Sequence, residues 1–230
     1  MTTARLEGLH TGEELAAAAR SSLYLRLATA FAFPTAELAE SLASGHFADG
    51  LAAEAAALPF DLALSGEAVS PLAGPSLARE ALEQAYIRLF EVGPGRPPCP
   101  LYEGSHRGGR IKIMEELIRF YEHFGLRPQP GDQPDHLCAQ LEFMHYLAFK
   151  EAAALAGGGP SGAYVLAQRD FLSRRLGGWL PRLRARLEEL DAPPVYATLA
   201  RLADAFCRAD LAWLRKRGAK PDTEIGPLPD

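Results

Sequence analysis

Apolar residues recur along this chain at spacings of three and four rather than two, the period of helices with a buried face. From Glu13 the pattern predicts a helix in which Leu15, Ala18, Ser22 and Leu25 form a stripe that Leu23, Leu27 and Ala30 broaden. A face that wide packs on more than one side. Pro34 ends it, because proline lacks the backbone donor and clashes with the preceding turn. Residues 35–58 predict one or two shorter helices interrupted at Gly45 and Gly50. Residues 59–76, with Pro59, Gly66, Pro71, Gly74 and Pro75, predict a looser connection. Residues 77–90 predict another helix, with Leu82, Ala85 or Tyr86, and Leu89 facing inward.

Pro94, Pro97, Pro98 and Pro100 forbid a continuous helix after that, so residues 91–109 predict a long loop. A helix over about 110–124 follows, its inner stripe Ile111, Met114, Ile118 and Tyr121, with Gly125 as a left-handed stop. After a second loop at 127–133 comes a helix over about 134–156. Asp132 is its expected cap, Asp135 stands at its third position and His136 in its first turn. Leu137, Leu141, Met144 and Ala148 form its inner stripe, and Gly157-Gly158-Gly159-Pro160 predicts a hairpin turn. Residues 161–176 predict a further helix. Gly177, Gly178 and Pro181 predict a break before 183–190, and Pro193-Pro194 opens a last helix with Val195, Leu199, Leu202, Phe206 and Trp213 on one face. No strand-like alternation competes, and no regular internal repeat is present. The expectation is an all-α, compact multi-helix bundle forming one domain over 1–218, with a flexible tail at 219–230.

Composition narrows the function. With 230 residues, 48% of them hydrophobic, the chain can build a core without metal or disulfide staples. Its net charge of -5 argues against a phosphate-gripping surface, so no nucleic acid is expected. The arginines at 169, 174, 175, 182, 184 and 186 read as a solvated helix face or a docking surface for an acidic partner. Glu188, Glu189 and Asp191 interrupt them as a phosphate track. Cys99, Cys138 and Cys207 form no Cys-x-x-Cys pair, which suits a reducing compartment. Without a signal-like apolar run or a stretch of about 20 apolar residues, a cytoplasmic location without membrane insertion is expected.

Three groups of residues could carry chemistry. Asp135-His136 reads as ordinary helix-start chemistry, as a polar recognition point in a groove, or as an acid–base pair lacking a positioned nucleophile. The positive helix end disfavours protonation of His136 and Asp135 favours it. Glu142-x-x-His145 has the spacing of a di-iron bundle motif, but Glu103-x-x-His106 and Glu7-x-x-His10 are poorly placed to complete one. The loop from Tyr102 to Arg110 has neither a phosphate-loop nor a nucleophile-elbow pattern. Its Arg107 and Arg110 offer donors for a peptide carboxylate or backbone. Tyr86, Phe90, Tyr102, Phe120, Tyr121, Phe124, Phe143 and Tyr146 read as core packing or as the walls of a peptide groove. The alternatives are a helical metal-binding protein using Glu142 and His145, or a small all-helical enzyme using His136 or His106.

In order along the chain stand Ala85-Tyr86-Ile87-Arg88-Leu89-Phe90, a proline-rich loop, Tyr102-Glu103-Gly104-Ser105, Phe120-Tyr121-x-x-Phe124-Gly125-Leu126, and Pro134-Asp135-His136-Leu137-x-x-Gln140-Leu141-Glu142-Phe143-Met144. This series resembles the TorD/DmsD/NarJ family of molybdoenzyme maturation chaperones, most strongly over residues 80–150. The resemblance implies an all-helical cytoplasmic protein that is not an enzyme and carries no cofactor or metal. Its partner would be a molybdoenzyme catalytic subunit or that subunit's twin-arginine signal peptide, held until molybdenum cofactor insertion is complete. Some members form homodimers, and weak guanine-nucleotide binding has been proposed for some. The resemblance places peptide binding near Leu89, Phe90, Tyr102, Glu103, Ser105, Asp135, His136 and Glu142. Where the family commonly has Glu/Gly-Ser-Val-Tyr, this chain has Glu103-Gly104-Ser105-His106 and then a more basic loop. That departure favours the branch serving dimethyl-sulfide, selenate, chlorate or ethylbenzene-type oxidoreductases.

Overall fold

Thr11 begins the first helix with a reciprocal cap. Its hydroxyl accepts the Glu14 N–H and the Glu14 carboxylate accepts the Thr11 N–H, both at 3.2 Å. The computed structural model describes residues 11–74, 77–129 and 131–217. Among these residues the helices are α1 (Gly12–Ala30), α2 (Ala36–Ala43), α3 (His46–Ala56), α4 (Gly66–Val69), α5 (Arg79–Tyr86), α6 (Glu103–Arg107), α7 (Arg110–His123), α8 (Leu137–Ala156), α9 (Gly162–Arg174), α10 (Leu176–Glu189) and α11 (Pro194–Arg217). A 3-10 turn follows α4 and a π-helical turn at Ile87–Glu91 follows α5. The fold is all-helical. The expected tail at 219–230 lies outside the described residues.

The centre of the bundle is the pairing of α1 with α8, the most extensive in the molecule. Leu23, Tyr24 and Leu27 of α1 are sealed from solvent, as are Leu141, Met144 and Ala148 of α8. α9, α10 and α11 pack on one another, and α9 also packs on α8. Phe206 of α11 is buried against Tyr24, their ring centroids 4.5 Å apart.

A charged cluster that hydrophobic patterning does not reveal ties these helices together. Arg20 is fully buried. It donates to Asp210 of α11 at 2.6 Å, to Glu151 of α8 at 2.9 Å and to Gln168 of α9. Tyr24 donates to the other Asp210 oxygen at 2.6 Å. Arg217 reaches Glu151 as well, and Trp213 stacks against both guanidinium groups. A buried guanidinium is tolerable only when its donors are matched this fully.

Several boundaries differ from expectation. Gly50 does not interrupt α3 but lies within it, where a Cβ would fall 2.5 Å from the Arg26 guanidinium. Residues 103–107 form α6 rather than continuing the loop. The inner stripe of α7 is Ile113, Leu117 and Tyr121, whereas Ile111 is 80% exposed. α10 runs unbroken through Gly177, Gly178 and Pro181, so one early helical bond goes unmade while Trp179, Leu180 and Leu183 are buried. The basic run is largely paired internally: Arg175 with Glu103 and Glu116, Arg174 with Asp170, and Arg184 with Asp204.

Candidate functional site

Tyr102 and His136 form an antiparallel bridge in an otherwise helical molecule. The Glu103 N–H donates to the Asp135 carbonyl at 2.9 Å and the Leu137 N–H donates to the Leu101 carbonyl at 2.8 Å. The bridge sets the Tyr102 and His136 rings edge to face, centroids 5.0 Å apart. His136, not Asp132, caps α8, its Nδ1 accepting the Cys138 N–H at 3.2 Å. Asp132 instead accepts the Gln129 N–H at 2.7 Å, closing the loop before the helix. Burial lowers the pKa of His136, and Asp135 opposes that shift. The neutral ring is the form that can cap.

Two buried carboxylates support the bridge from below. Glu103 is completely buried; Arg107 and Arg175 donate to one of its oxygens at 2.7 and 3.3 Å, and Gln140 donates to the other at 2.8 Å. Trp179 donates to the Gln140 oxygen at 3.1 Å and stacks on His106, whose Nε2 lies 2.7 Å from the Pro100 carbonyl. Burial lowers the His106 pKa, with the Pro100 carbonyl opposing. Asp135, also completely buried, is held by a two-pronged Arg110 guanidinium at 3.0 and 3.1 Å and accepts the Gly104 N–H at 3.3 Å. The Arg110 guanidinium lies 5.1 Å from the centre of the Tyr102 ring.

Beside the bridge opens a cavity of about 500 Å³. Tyr102 and His136 line one side, Tyr121, Phe143 and Tyr146 give it aromatic walls, and Glu142 adds a carboxylate. Tyr121 is fixed by donation to the Pro134 carbonyl at 2.9 Å, and Tyr146 by donation to the Phe124 carbonyl at 3.1 Å. Glu142 is exposed and makes no ion pair among the described residues. The cavity walls nevertheless desolvate its carboxyl and raise its pKa, with His145 opposing. The combination of apolar walls, the Glu142 and Asp132 carboxylates outside any ion pair among the described residues, and the His136 imidazole can bury an extended segment and hold a cationic group.

Of the residues singled out in the sequence, Tyr102, His136 and Glu142 face this cavity, while Glu103 and Asp135 lie beneath it. Glu103 and Asp135, expected among the peptide-binding residues, are already paired with internal arginines: Glu103 with Arg107 and Arg175, Asp135 with Arg110. Leu89 and Phe90 are buried in the π-helical turn, Phe90 edge-on to Tyr86 and Tyr196. Ser105 is exposed on α6 and does not line the cavity. His145 turns to α1, its Nδ1 2.8 Å from the Ser21 hydroxyl and 3.0 Å from the Ser21 carbonyl. No cluster of three or more metal-ligating side chains exists among the described residues, so Glu142 and His145 lack the company a metal site needs. The sequence reading missed Arg110 as a partner of Asp135, a pairing that only the bridge makes possible.

The sequence model of the nitrate reductase delta subunit family matches residues 26–185. The chain is 41% identical over 157 residues to the selenate reductase assembly chaperone protein of Thauera selenatis, covering 66% of this chain and 80% of that one. It is 36% identical over 204 residues to the dimethyl sulfide dehydrogenase assembly chaperone protein of Rhodovulum sulfidophilum, covering 81% and 76%. Among solved structures, an Archaeoglobus fulgidus protein taken to be a redox enzyme maturation protein matches with a TM-score of 0.55. At 22% identity, over 82% of this chain and 93% of the other, that likeness is one of fold.

Proposed function

The chain belongs to the nitrate reductase delta subunit family, and on that premise we propose that it is an assembly chaperone for a molybdenum-containing oxidoreductase of the selenate reductase and dimethyl sulfide dehydrogenase kind. It acts in the cytoplasm by binding, not by catalysis. It holds the catalytic subunit, or that subunit's twin-arginine signal peptide, open to cofactor insertion and releases it to fold. One observation carries this reading: the cavity beside the Tyr102–His136 bridge pairs fixed aromatic walls with the unpaired Glu142 carboxylate. Apolar burial supplies about 25 cal/mol per Å² of partner surface, which suits a grip that must later be released. Glu142 supplies direction by accepting from a cationic side chain.

The test begins with co-purification from the native cell and identification of the bound polypeptide. Calorimetric titration with overlapping peptides of that polypeptide follows. His136→Ala and Glu142→Gln should each weaken binding about fivefold, the worth of one hydrogen bond, with helicity unchanged. Unchanged affinity in both variants for every peptide would place the binding surface elsewhere.

A further inference from the structure

Arg110 is bound as a ligand would be. Its guanidinium meets the buried Asp135 carboxylate with two prongs, touches Gln133 and lies over the Tyr102 ring, yet its side chain remains 48% exposed. Matched hydrogen bonds in one plane with an aromatic face against it are the chemistry that selects guanidinium over ammonium. The surroundings are shaped for it. A Cβ on Gly104 would fall 2.5 Å from the Arg110 Cγ and 2.6 Å from its Cβ, so the glycine leaves the room the side chain occupies. Tyr102, Gln133 and His136 belong equally to the wall of the neighbouring cavity. Glu103, the other buried acid of this region, is matched by Arg107, Arg175 and Gln140 and takes no part.

We propose that Asp135, Gln133 and Tyr102 form a guanidinium seat that Arg110 fills in the free protein and that an arginine of the bound polypeptide takes over, with Arg110 swinging out to solvent. The proposal rests on the chaperone reading and assigns the partner's chemistry at one subsite. It also gives the buried Asp135 a way to meet a client cation without ever being left unpaired. A cis occupant that holds the seat about nine-tenths of the time lowers the apparent affinity for a competing arginine about tenfold.

The seat can be tested without a client, so its failure is separable from failure of the chaperone reading. Thermal midpoints of wild type and Arg110→Ala are followed against millimolar ethylguanidinium, ethylammonium and acetyl-arginine amide. Arg110→Ala should gain stability with the two guanidinium compounds and much less with ethylammonium. Wild type should need about tenfold more of either guanidinium compound for the same gain. A well-folded Arg110→Ala that ignores both compounds, or fails to distinguish them from ethylammonium, overturns the proposal. Arg110→Lys keeps a charge but not the fork and should behave as an intermediate. Loss of the helical fold in both variants also overturns it, because a displaceable occupant cannot be indispensable to folding.

Discussion

The imidazole of His136 accepts the backbone N–H of Cys138, and this one contact makes the start of α8 sensitive to protons. Protonated Nδ1 cannot accept. The folded pKa of His136 is lowered by burial, so below the ordinary histidine value near 6.5 the unfolded chain takes up protons first. Stability from this residue is therefore complete above about pH 6.5 and is lost as the pH falls through the folded value. His106, lowered in the same way, adds to the same window. Thermal melts between pH 7.5 and 5.5 should show a falling midpoint. His136→Asn, which keeps a capping side chain without a titrating one, should flatten the fall but not remove it. An equally steep fall in that variant would exclude His136 as a source.

Arg20 should be the most consequential charged residue for stability. Arg20→Ala leaves buried Asp210 with no guanidinium and Glu151 with that of Arg217 alone, and should cost about 3–5 kcal/mol in urea unfolding. Arg20→Lys should fall between, since one ammonium cannot reach all three partners.

Gln140 joins Trp179 to Glu103 through both ends of its amide. Gln140→Leu preserves much of the volume but strips a donor from a buried carboxylate and an acceptor from a buried indole. The expected loss is about 2–4 kcal/mol, read from denaturant midpoints. A loss near zero would mean that neither group depends on the amide.

α7 provides a paired comparison. Ile111→Ala should change stability by less than about 0.5 kcal/mol, because the side chain is 80% exposed. Leu117→Ala, six residues along on the sealed face, should cost about 2–5 kcal/mol. Equal effects would mean that α7 is rotated from its position here.

That comparison also marks where the sequence stops being informative. Residues 137, 141, 144 and 148 give one self-consistent stripe, and α8 buries all of them. α7 offers apolar residues at 111, 113, 114, 117 and 118, so two neighbouring faces fit the same period, and only tertiary packing chooses between them. Pro193-Pro194 announces the last helix because proline suits a first turn. Pro181 misleads because buried Trp179 and Leu183 hold α10 together despite it. At the site, Asp135 and His136 stand out in the sequence as a charged pair, but the aromatic walls become a cavity only after 102 meets 136. Arg20 lies 131, 148 and 190 positions from its partners, and no local pattern signals contacts at such range.

The join between the two loops is made by main-chain atoms, and amide groups are the same whatever side chains they carry. Positions 102 and 136 can therefore exchange residues over evolutionary time while the strand-like splice between them persists. Lineages could thus re-tailor what this surface recognises, one amino acid after another, without first inventing a new scaffold.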